Sequence, residues 1–186
     1  YDAYNWTASP MELQRMYDQI AAAREAVGPN IDICVDMHGR YDAVTAQAIA
    51  KRLEPLNLMW LEEPIPAENV EAYKLITEST STPICAGENH YLAYGFRRML
   101  EIGAVDIVMP DLQKAGGLGE GQRIANLANL YYTPFAPHMV ASFLGAMASL
   151  ATVGAAFAAV KALTLWKSQF QLQKKYDSIV EARTFL

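Results

Sequence analysis

The sequence predicts an α/β fold, a (β/α)8 TIM-like barrel of which about six βα units are present. Short apolar runs alternate with amphipathic segments of helical length along residues 9–166, as in βα units of a parallel sheet. A reactive residue also follows each of five successive apolar runs: Asp36, Glu62, Glu88, Asp111 and His138. Because the carboxyl ends of barrel strands form the active-site face, this placement predicts one shared site.

Each element has local signals. Ser9-Pro10 with Glu12 predicts the start of a helix, and Gly28-Pro29-Asn30 predicts its end near Val27. In Ile31–Asp36, aliphatic residues alternate with other residue types. This alternation predicts a strand that turns Asp36 toward the site. The later predicted helices cover residues 43–54, 67–79, 94–102, 117–130 and 141–158. The later predicted strands cover residues 58–62, 83–87, 105–110, 132–136 and 162–166.

The strand count indicates an incomplete barrel. A closed barrel has eight strands and typically about 250 residues, whereas this chain has 186 residues and six predicted strands. Unpaired strand edges are costly or prone to association. The first two strands are therefore expected to be missing before Tyr1, in a longer enzyme. Residues 1–166 are expected to form the partial barrel domain and residues 167–186 a helix and coil tail.

The composition of the chain indicates which kinds of partner and which cellular compartment to expect. The net charge of -5 and the pI near 5.2 argue against nucleic acid or an anionic membrane as partner. No signal peptide opens the chain at Tyr1, so a cytoplasmic enzyme is expected. Cys34 and Cys85 are expected to be buried free thiols, with a disulfide as the alternative. Residues 143–160 favour a packed barrel helix over a membrane span because they contain serine and glycine.

Three of the strand-end residues are acidic and suggest a metal site. Asp36, Glu62 and Glu88 would repel one another at a shared point unless a cation joined them. Mg²⁺ suits such a set, since hard divalent ions prefer oxygen ligands. One such acid alone would more often cap a helix or form a surface salt bridge. Glu63 is expected to point to the other side of the strand as a structural partner.

The histidines suggest acid–base chemistry. A carboxylate beside an imidazole fixes its tautomer and raises its basicity, so Asp111 and His138 predict a general-base dyad. His38 lies two residues after Asp36 and therefore on the same face, where it can stand across the metal from His138.

Three loop features stay open at this stage. Arg40 either holds a substrate carboxylate or caps a loop. His90 faces either the site or solvent. Gly116-Gly117 either binds an anion through its amides or forms a tight turn before a helix.

Taken together, the motifs resemble the enolase superfamily. They are Val35–Arg40, Glu62-Glu63-Pro64, Gly87-Glu88, Pro110-Asp111 with Gly116-Gly117, and Ala136-Pro137-His138. Within the superfamily they are similar to the mandelate racemase-like branch, especially its galactonate- and gluconate-type sugar-acid dehydratases. The resemblance covers residues 1 to about 150.

This resemblance implies a function for each matched residue. Asp36, Glu62 and Glu88 would bind Mg²⁺, and the dyad of Asp111 and His138 would remove the proton next to the substrate carboxylate. The resemblance makes His38 the general acid for the departing 3-hydroxyl, and Arg40 and His90 are expected to bind substrate. The expected reaction is dehydration of an aldonate, a small-molecule sugar acid, to a 2-keto-3-deoxy acid by a hydro-lyase. The full-length protein is expected to form a homo-oligomer.

Two other functions remain open. Opposed histidines would also suit a racemase or epimerase of a 2-hydroxy acid. The other is a catalytically inactive barrel fragment, because only six strands are predicted and the family's N-terminal capping domain is absent. In addition, residues 162–166 resemble the eighth strand but lack the glutamate expected there.

Overall fold

The computed structural model describes residues 6–140, in which parallel strands alternate with helices. The helices are α1 (Pro10–Val27), α2 (Ala43–Leu53), α3 (Val70–Ser79), α4 (Leu92–Glu101) and α5 (Leu118–Leu130), with a short 3-10 helix at Glu54–Leu56 after α2. The strands are β1 (Cys34–Asp36), β2 (Trp60–Glu62), β3 (Ile84–Ala86) and β4 (Ile107–Val108).

The strands form a four-stranded parallel sheet in the order β1-β2-β3-β4. A helix follows each strand, so each neighbouring pair of strands is a βα unit with a crossover. This is the arrangement of consecutive staves of a (β/α) barrel, as predicted. The carboxyl ends of all four strands therefore lie at one edge of the sheet.

The prediction of a regular strand at residues 132–136 is wrong. Phe135 forms an isolated parallel bridge with Val108, and the Val108 N–H donates to the Pro134 carbonyl at 3.0 Å. Pro134 has no N–H to donate toward β4, and Pro110 has none to donate toward this segment, so the hydrogen-bond ladder cannot run on without a break. The segment continues the sheet beyond β4 through single bridges.

Other predicted bounds were too generous. The strand predicted at 31–36 begins only at Cys34, and the strand predicted at 105–110 is confined to β4. Three predicted elements lie outside the described residues: the helix at 141–158, the strand at 162–166 and the tail at 167–186. The same is true of residues 143–160, for which a membrane span was the alternative to a packed helix. Within residues 6–140, no helix is both long and apolar enough to cross a bilayer.

The start of α1 follows its sequence signal. The Glu12 N–H donates to Ser9 Oγ at 3.3 Å, and the Ser9 N–H donates to the Glu12 carboxylate at 2.7 Å. This reciprocal capping box satisfies two N–H groups that the first helical turn leaves without partners. At the other end of the helix, Arg24 donates to the carbonyls of Leu56 and Asn57, which ties α1 to the segment that follows α2.

The core lies between the sheet and the helices that cover it. Tyr73 and Ile76 of α3, Phe96 of α4 and Ile84 of β3 have no exposed surface. Burial of aliphatic and aromatic side chains at this scale is the main stabilising contribution to such a fold. The helix–sheet packing holds the carboxyl ends of the strands in fixed relative positions.

The prediction of two buried thiols was right for one cysteine. Both cysteines are free, but Cys34 is exposed whereas Cys85 is buried. Cys34 lies in β1, which is the first strand of the sheet order among the described residues, so its outer edge is open. Cys85 lies in the interior strand β3, where burial raises its pKa well above the ordinary value.

Gly87, just after β3, provides a stability test. Its φ is +137°, and a Cβ there would lie 2.7 Å from Phe96 Cε1 and 3.1 Å from the Met109 nitrogen. We expect Gly87→Ala to lower the free energy of unfolding by roughly 2–4 kcal/mol, because it combines backbone strain with overpacking. Denaturant unfolding measures this change.

Gly119→Ala is the matched control for that substitution. Gly119 lies in α5, and a Cβ at this position would have no heavy atom within 4 Å. Alanine should there be neutral or stabilising by up to about 1 kcal/mol. Equal unfolding free energies for the two variants would contradict the packing argument at Gly87.

Candidate active site

The predicted site residues gather at the carboxyl edge of the sheet. Asp36 and Glu62 end β1 and β2 and are directly paired in the register. Glu88 lies in the loop two residues past β3, and Asp111 lies three residues past β4. Asp111 and His138 are joined by a parallel bridge. Four successive strand ends and the following segment thus supply these side chains to one edge.

An acid–imidazole cluster lies at the centre of this edge. Glu62, Glu88 and His138 each offer a possible ligand atom, and these atoms all lie within 4.8 Å of one another. His138 Nε2 is 2.6 Å from Glu88 Oε2, and both side chains are mostly buried. The cluster has the spacing of donors around a single cation.

The pKa of Glu62 is raised by its burial first and by its acidic neighbours second. Burial raises the pKa of its carboxyl. The Trp60 indole N–H donates to Glu62 Oε2 at 3.0 Å and lowers the pKa, whereas the charges of Asp36 and Glu88 raise it. The net pKa is above the ordinary value. Such a carboxylate gains from a nearby positive charge.

His138 and Asp111 form the contact that the sequence predicted. His138 Nδ1 is 3.0 Å from Asp111 Oδ2, and the Asp111 side chain is 3% exposed. Burial raises the pKa of Asp111, but backbone N–H groups of Lys114, Val140 and Gln113, together with His138, lower it below its usual value. The ionised carboxylate holds Nδ1 as the protonated nitrogen and leaves Nε2 directed at the cluster.

Asp36 and His38 form a separate pair. The His38 N–H donates to Asp36 Oδ1 at 2.8 Å, and His38 Nδ1 is 3.0 Å from Asp36 Oδ2. The His38 side chain is 65% exposed, and its φ is +53°. Asp36 is beside Glu62 in the sheet but is not in the group of atoms within 4.8 Å. Its metal-binding role and the acid role of His38 stay predictions.

The open loop features are placed as follows. Arg40 is partly buried in the loop after β1. His90 is buried, so solvent exposure is ruled out, and its ring packs on Phe96 with centroids 5.5 Å apart. Burial lowers the pKa of His90. Substrate binding by Arg40 and His90 stays a prediction.

Gly116 and Gly117 form a turn. Both have positive φ, and the Gly117 N–H donates to the Leu112 carbonyl at 2.7 Å, while the Gly116 N–H donates to the Gln113 carbonyl at 3.4 Å. These amides are used within the turn before α5. The tight-turn interpretation therefore holds.

Three supporting side chains were not predicted from the sequence. Trp60 donates to Glu62, as noted above, and Asn89 Nδ2 donates to Glu88 Oε1 at 3.2 Å. Lys114 Nζ donates in turn to Asn89 Oδ1 at 3.2 Å. Trp60 could have been found, because it precedes Glu62 by two residues on the same strand face. The link from Lys114 joins two separate loops and has no signal in the sequence.

The donor set fits a hard divalent cation. Two buried carboxylates lie within one cluster, and a third acid is adjacent in the sheet. Carboxylate oxygens are the ligands that Mg²⁺ prefers. Burial and the charges of Asp36 and Glu88 raise the pKa of Glu62, so a cation beside it would favour the ionised carboxylate.

Comparison with known proteins gives a consistent assignment. The sequence matches the Enolase C-terminal domain-like family over residues 1–184. It is 44% identical over 138 residues to the D-xylonate dehydratase of Haloferax volcanii, covering 74% of this chain and 34% of that protein. The chain thus spans about a third of the length of this curated relative.

Solved structures agree with the fold. A mandelate racemase/muconate lactonizing enzyme-like protein from Rubrobacter xylanophilus superposes with a TM-score of 0.77 at 51% identity, over 81% of this chain and 38% of that one. The L-talarate dehydratase of Polaromonas sp. JS666, solved with Mg and L-glucarate, gives a TM-score of 0.67 at 30% identity, over 71% of this chain and 37% of that one.

These matches confirm the resemblance that the motifs predicted, together with the barrel fold. The family match extends over nearly all of the sequence, and the described sheet has the parallel order of barrel staves. The chain belongs to the Enolase C-terminal domain-like family.

Proposed function

We propose that this chain carries the catalytic residues of a Mg²⁺-dependent sugar-acid dehydratase, which converts an aldonate to a 2-keto-3-deoxy acid. The observation that carries the proposal is His138, which is held by buried Asp111 and directs Nε2 into the cluster of Glu62 and Glu88. The dehydratase names of the relatives from Haloferax volcanii and Polaromonas support the substrate class, a sugar acid.

Asp36, Glu62 and Glu88 are the residues that would hold the cation. When bound, Mg²⁺ acts as a Lewis acid for negative charge that develops on the substrate carboxylate. The burial of Glu62 and Glu88 strengthens every electrostatic interaction in the cluster, because little water is present to screen it.

His138 is the proposed base. Its Nδ1 faces Asp111, so the remaining nitrogen, Nε2, is the one able to take the C2 proton of the substrate. In the described structure that nitrogen contacts Glu88, so a substrate would have to displace this contact. The C2–H bond breaks, and its proton passes to the imidazole.

His38 is the proposed acid. Its Nδ1 also faces a carboxylate, that of Asp36, so His38 would act as an imidazolium that keeps Nδ1–H on Asp36 and gives up the proton on Nε2. A proton delivered to the 3-hydroxyl lets the C3–O bond break and water leave. The resulting enol becomes the 2-keto-3-deoxy acid by ketonisation. Each imidazole is thus oriented by a carboxylate, one for removing a proton and one for supplying it.

The test is ¹H NMR of the full-length protein with Mg²⁺ and a library of aldonic acids, including D-xylonate, in D₂O. A 2-keto-3-deoxy product from at least one acid is expected. Deuterium at C2 of otherwise unchanged acid would favour the racemase alternative. Neither product with any acid would overturn the proposal.

His38→Asn separates the two chemical steps. We expect water loss to slow by about 10²–10⁴-fold, the usual contribution of a positioned acid, while C2 proton exchange continues through His138. The measurement compares product formation with deuterium uptake at C2 in the same NMR sample. Loss of both would mean that His38 orients substrate or supports the structure instead.

A further inference from the structure

We infer that Glu63 is a positioning residue for the cation site, because it fixes the loop that presents Glu88. This inference rests on the proposed cation site. Glu63 directly follows Glu62 in the chain, but the two side chains contact different parts of the structure. Glu62 lies in the cluster, whereas Glu63 reaches the backbone of the neighbouring loop.

The contacts of Glu63 with that loop are direct. Glu63 Oε1 accepts the Gly87 N–H at 2.7 Å and the Glu88 N–H at 3.2 Å. Both N–H groups lie past the last residue of β3, where the carboxylate oxygen takes the place of a strand carbonyl. Hydrogen bonds from N–H groups to a carboxylate are stronger than those between neutral groups. The start of the loop is therefore fixed relative to β2.

The second oxygen of Glu63 is also held. The Tyr73 hydroxyl of α3 donates to Glu63 Oε2 at 2.8 Å and lies 2.6 Å from the Ile65 carbonyl oxygen. Glu63 is 1% exposed and Tyr73 is 0% exposed. A buried carboxylate with partners on both oxygens has little freedom to move, so α3 determines where Glu63 lies.

The backbone of Glu63 joins the same two strands. Its N–H donates to the Cys85 carbonyl at 2.9 Å, which extends the ladder between β2 and β3 by one step. Its φ of +40° is unusual for a residue other than glycine. Such a conformation persists where the surroundings fix it, and it occurs often at functional sites.

Together these contacts set the separation of two proposed ligands. Glu62 is placed by β2, and the backbone of Glu88 is placed by Glu63, the residue next to Glu62. The distance between the two carboxylates is then determined by one chain segment and one set of hydrogen bonds. Residues that orient metal ligands typically change metal affinity by about 10–100-fold when they are replaced.

The test is titration of the full-length protein with Mn²⁺, followed by electron paramagnetic resonance of the free ion. Glu63→Ala removes both acceptors and is expected to weaken Mn²⁺ binding at least about tenfold. Glu63→Gln is expected to bind within about threefold of wild type, because its amide oxygen still accepts both N–H groups. Its amide nitrogen can donate to the Tyr73 hydroxyl, which can then donate its own proton to the Ile65 carbonyl.

Ile76→Ala is the control for general destabilisation. Ile76 is fully buried in α3, the helix that carries Tyr73. It should lower the thermal unfolding midpoint and leave Mn²⁺ affinity unchanged. If Glu63→Ala does not fold, Glu63→Asp takes its place, since the shorter side chain loses reach toward the loop and is expected to weaken binding likewise.

The outcomes are distinct. Wild-type affinity in Glu63→Ala or Glu63→Asp would overturn the inference, and so would an equal loss of affinity in Ile76→Ala. Absence of Mn²⁺ binding by the wild-type protein would overturn it too. Weakened binding in the Glu63 variants, rescued by glutamine, supports the inference even if no sugar acid is dehydrated. In that case the proposed reaction alone would fail.

Discussion

Replacing His138 by asparagine is expected to abolish proton exchange at C2 of the substrate while cation binding is retained. The loss should be about 10²–10⁴-fold, which is what a positioned general base contributes. Asparagine keeps a polar group that can contact Asp111, but it offers no basic nitrogen at the position of Nε2. The substitution therefore removes the base with little change in volume.

The base role of His138 depends on the orientation of its imidazole. Asp111 is almost fully buried and its pKa is lowered, so its carboxylate stays ionised at pH values below its ordinary range. It holds Nδ1–H, and the proton-accepting nitrogen then faces Glu88. Asp111→Asn keeps the imidazole but loses this control of the tautomer, so a smaller loss than in His138→Asn is expected.

Deuterium uptake at C2, followed by ¹H NMR in D₂O, measures the exchange, and Mn²⁺ titration provides the control. Unchanged Mn²⁺ affinity with lost exchange supports the base role. Full exchange in His138→Asn would remove His138 from that role. Lost Mn²⁺ affinity would instead indicate that His138 binds the cation together with Glu62 and Glu88, which the geometry of the cluster also allows.

Asp36, Glu62 and Glu88 are each 26 residues apart in the sequence, which predicts equivalent positions at three strand ends, and the register confirms this for only the first two. Asp36 and Glu62 are paired directly, as expected. Glu62, however, pairs with Cys85, so Glu88 lies three residues further along, in a loop. Spacing in the sequence measures the combined length of helix, strand and loops. Register depends instead on how adjacent strands are staggered, which is a property of the closed sheet.

The sequence predicted structural features correctly where they depend on residues that are close together in the chain. The capping box at Ser9 follows from residue type alone. For Gly116-Gly117, residue type allowed a tight turn or an anion site, and the structure shows the turn. The break at Pro134 could also have been predicted, since proline lacks the N–H that a strand needs. The contact between Tyr73 and Glu63 joins a helix to a strand end, and it becomes visible only when the packing of α3 on the sheet is known.

Glu62→Gln is expected to remove most of the stabilisation by Mg²⁺ as well as the activity, so that wild type is the more stable protein only when Mg²⁺ is present. With Mg²⁺ present, wild type should be the more stable protein, because a ligand that binds only the folded state stabilises it by about 2.7 kcal/mol at a hundred times its dissociation constant. The variant should lose most of this gain. Its dehydration rate should fall by about 10³-fold or more, since a bound cation contributes several kcal/mol to transition-state stabilisation.

Without Mg²⁺, the order of stability should invert, so that Glu62→Gln is more stable than wild type. The pKa of Glu62 is raised in the folded protein by burial and by the charges of Asp36 and Glu88. The folded state therefore holds the Glu62 proton more tightly than the unfolded state, and stability is lost as the pH rises through the folded pKa. At neutral pH the ionised side chain destabilises the cation-free protein, and glutamine relieves that repulsion. Thermal unfolding with Mg²⁺ and with EDTA measures both orders.

Glu78→Gln is the matched control for this comparison, because Glu78 is an exposed residue of α3 paired with Lys74. Exposed ion pairs contribute about 0–1 kcal/mol, so this variant should follow wild type under both conditions. If Glu62→Gln also followed wild type, with the same stabilisation by Mg²⁺, Glu62 would not be a ligand. The cation would then bind away from Glu62, the buried carboxylates of the cluster would repel one another with no ion between them, and the physical basis of the proposed chemistry would be lost.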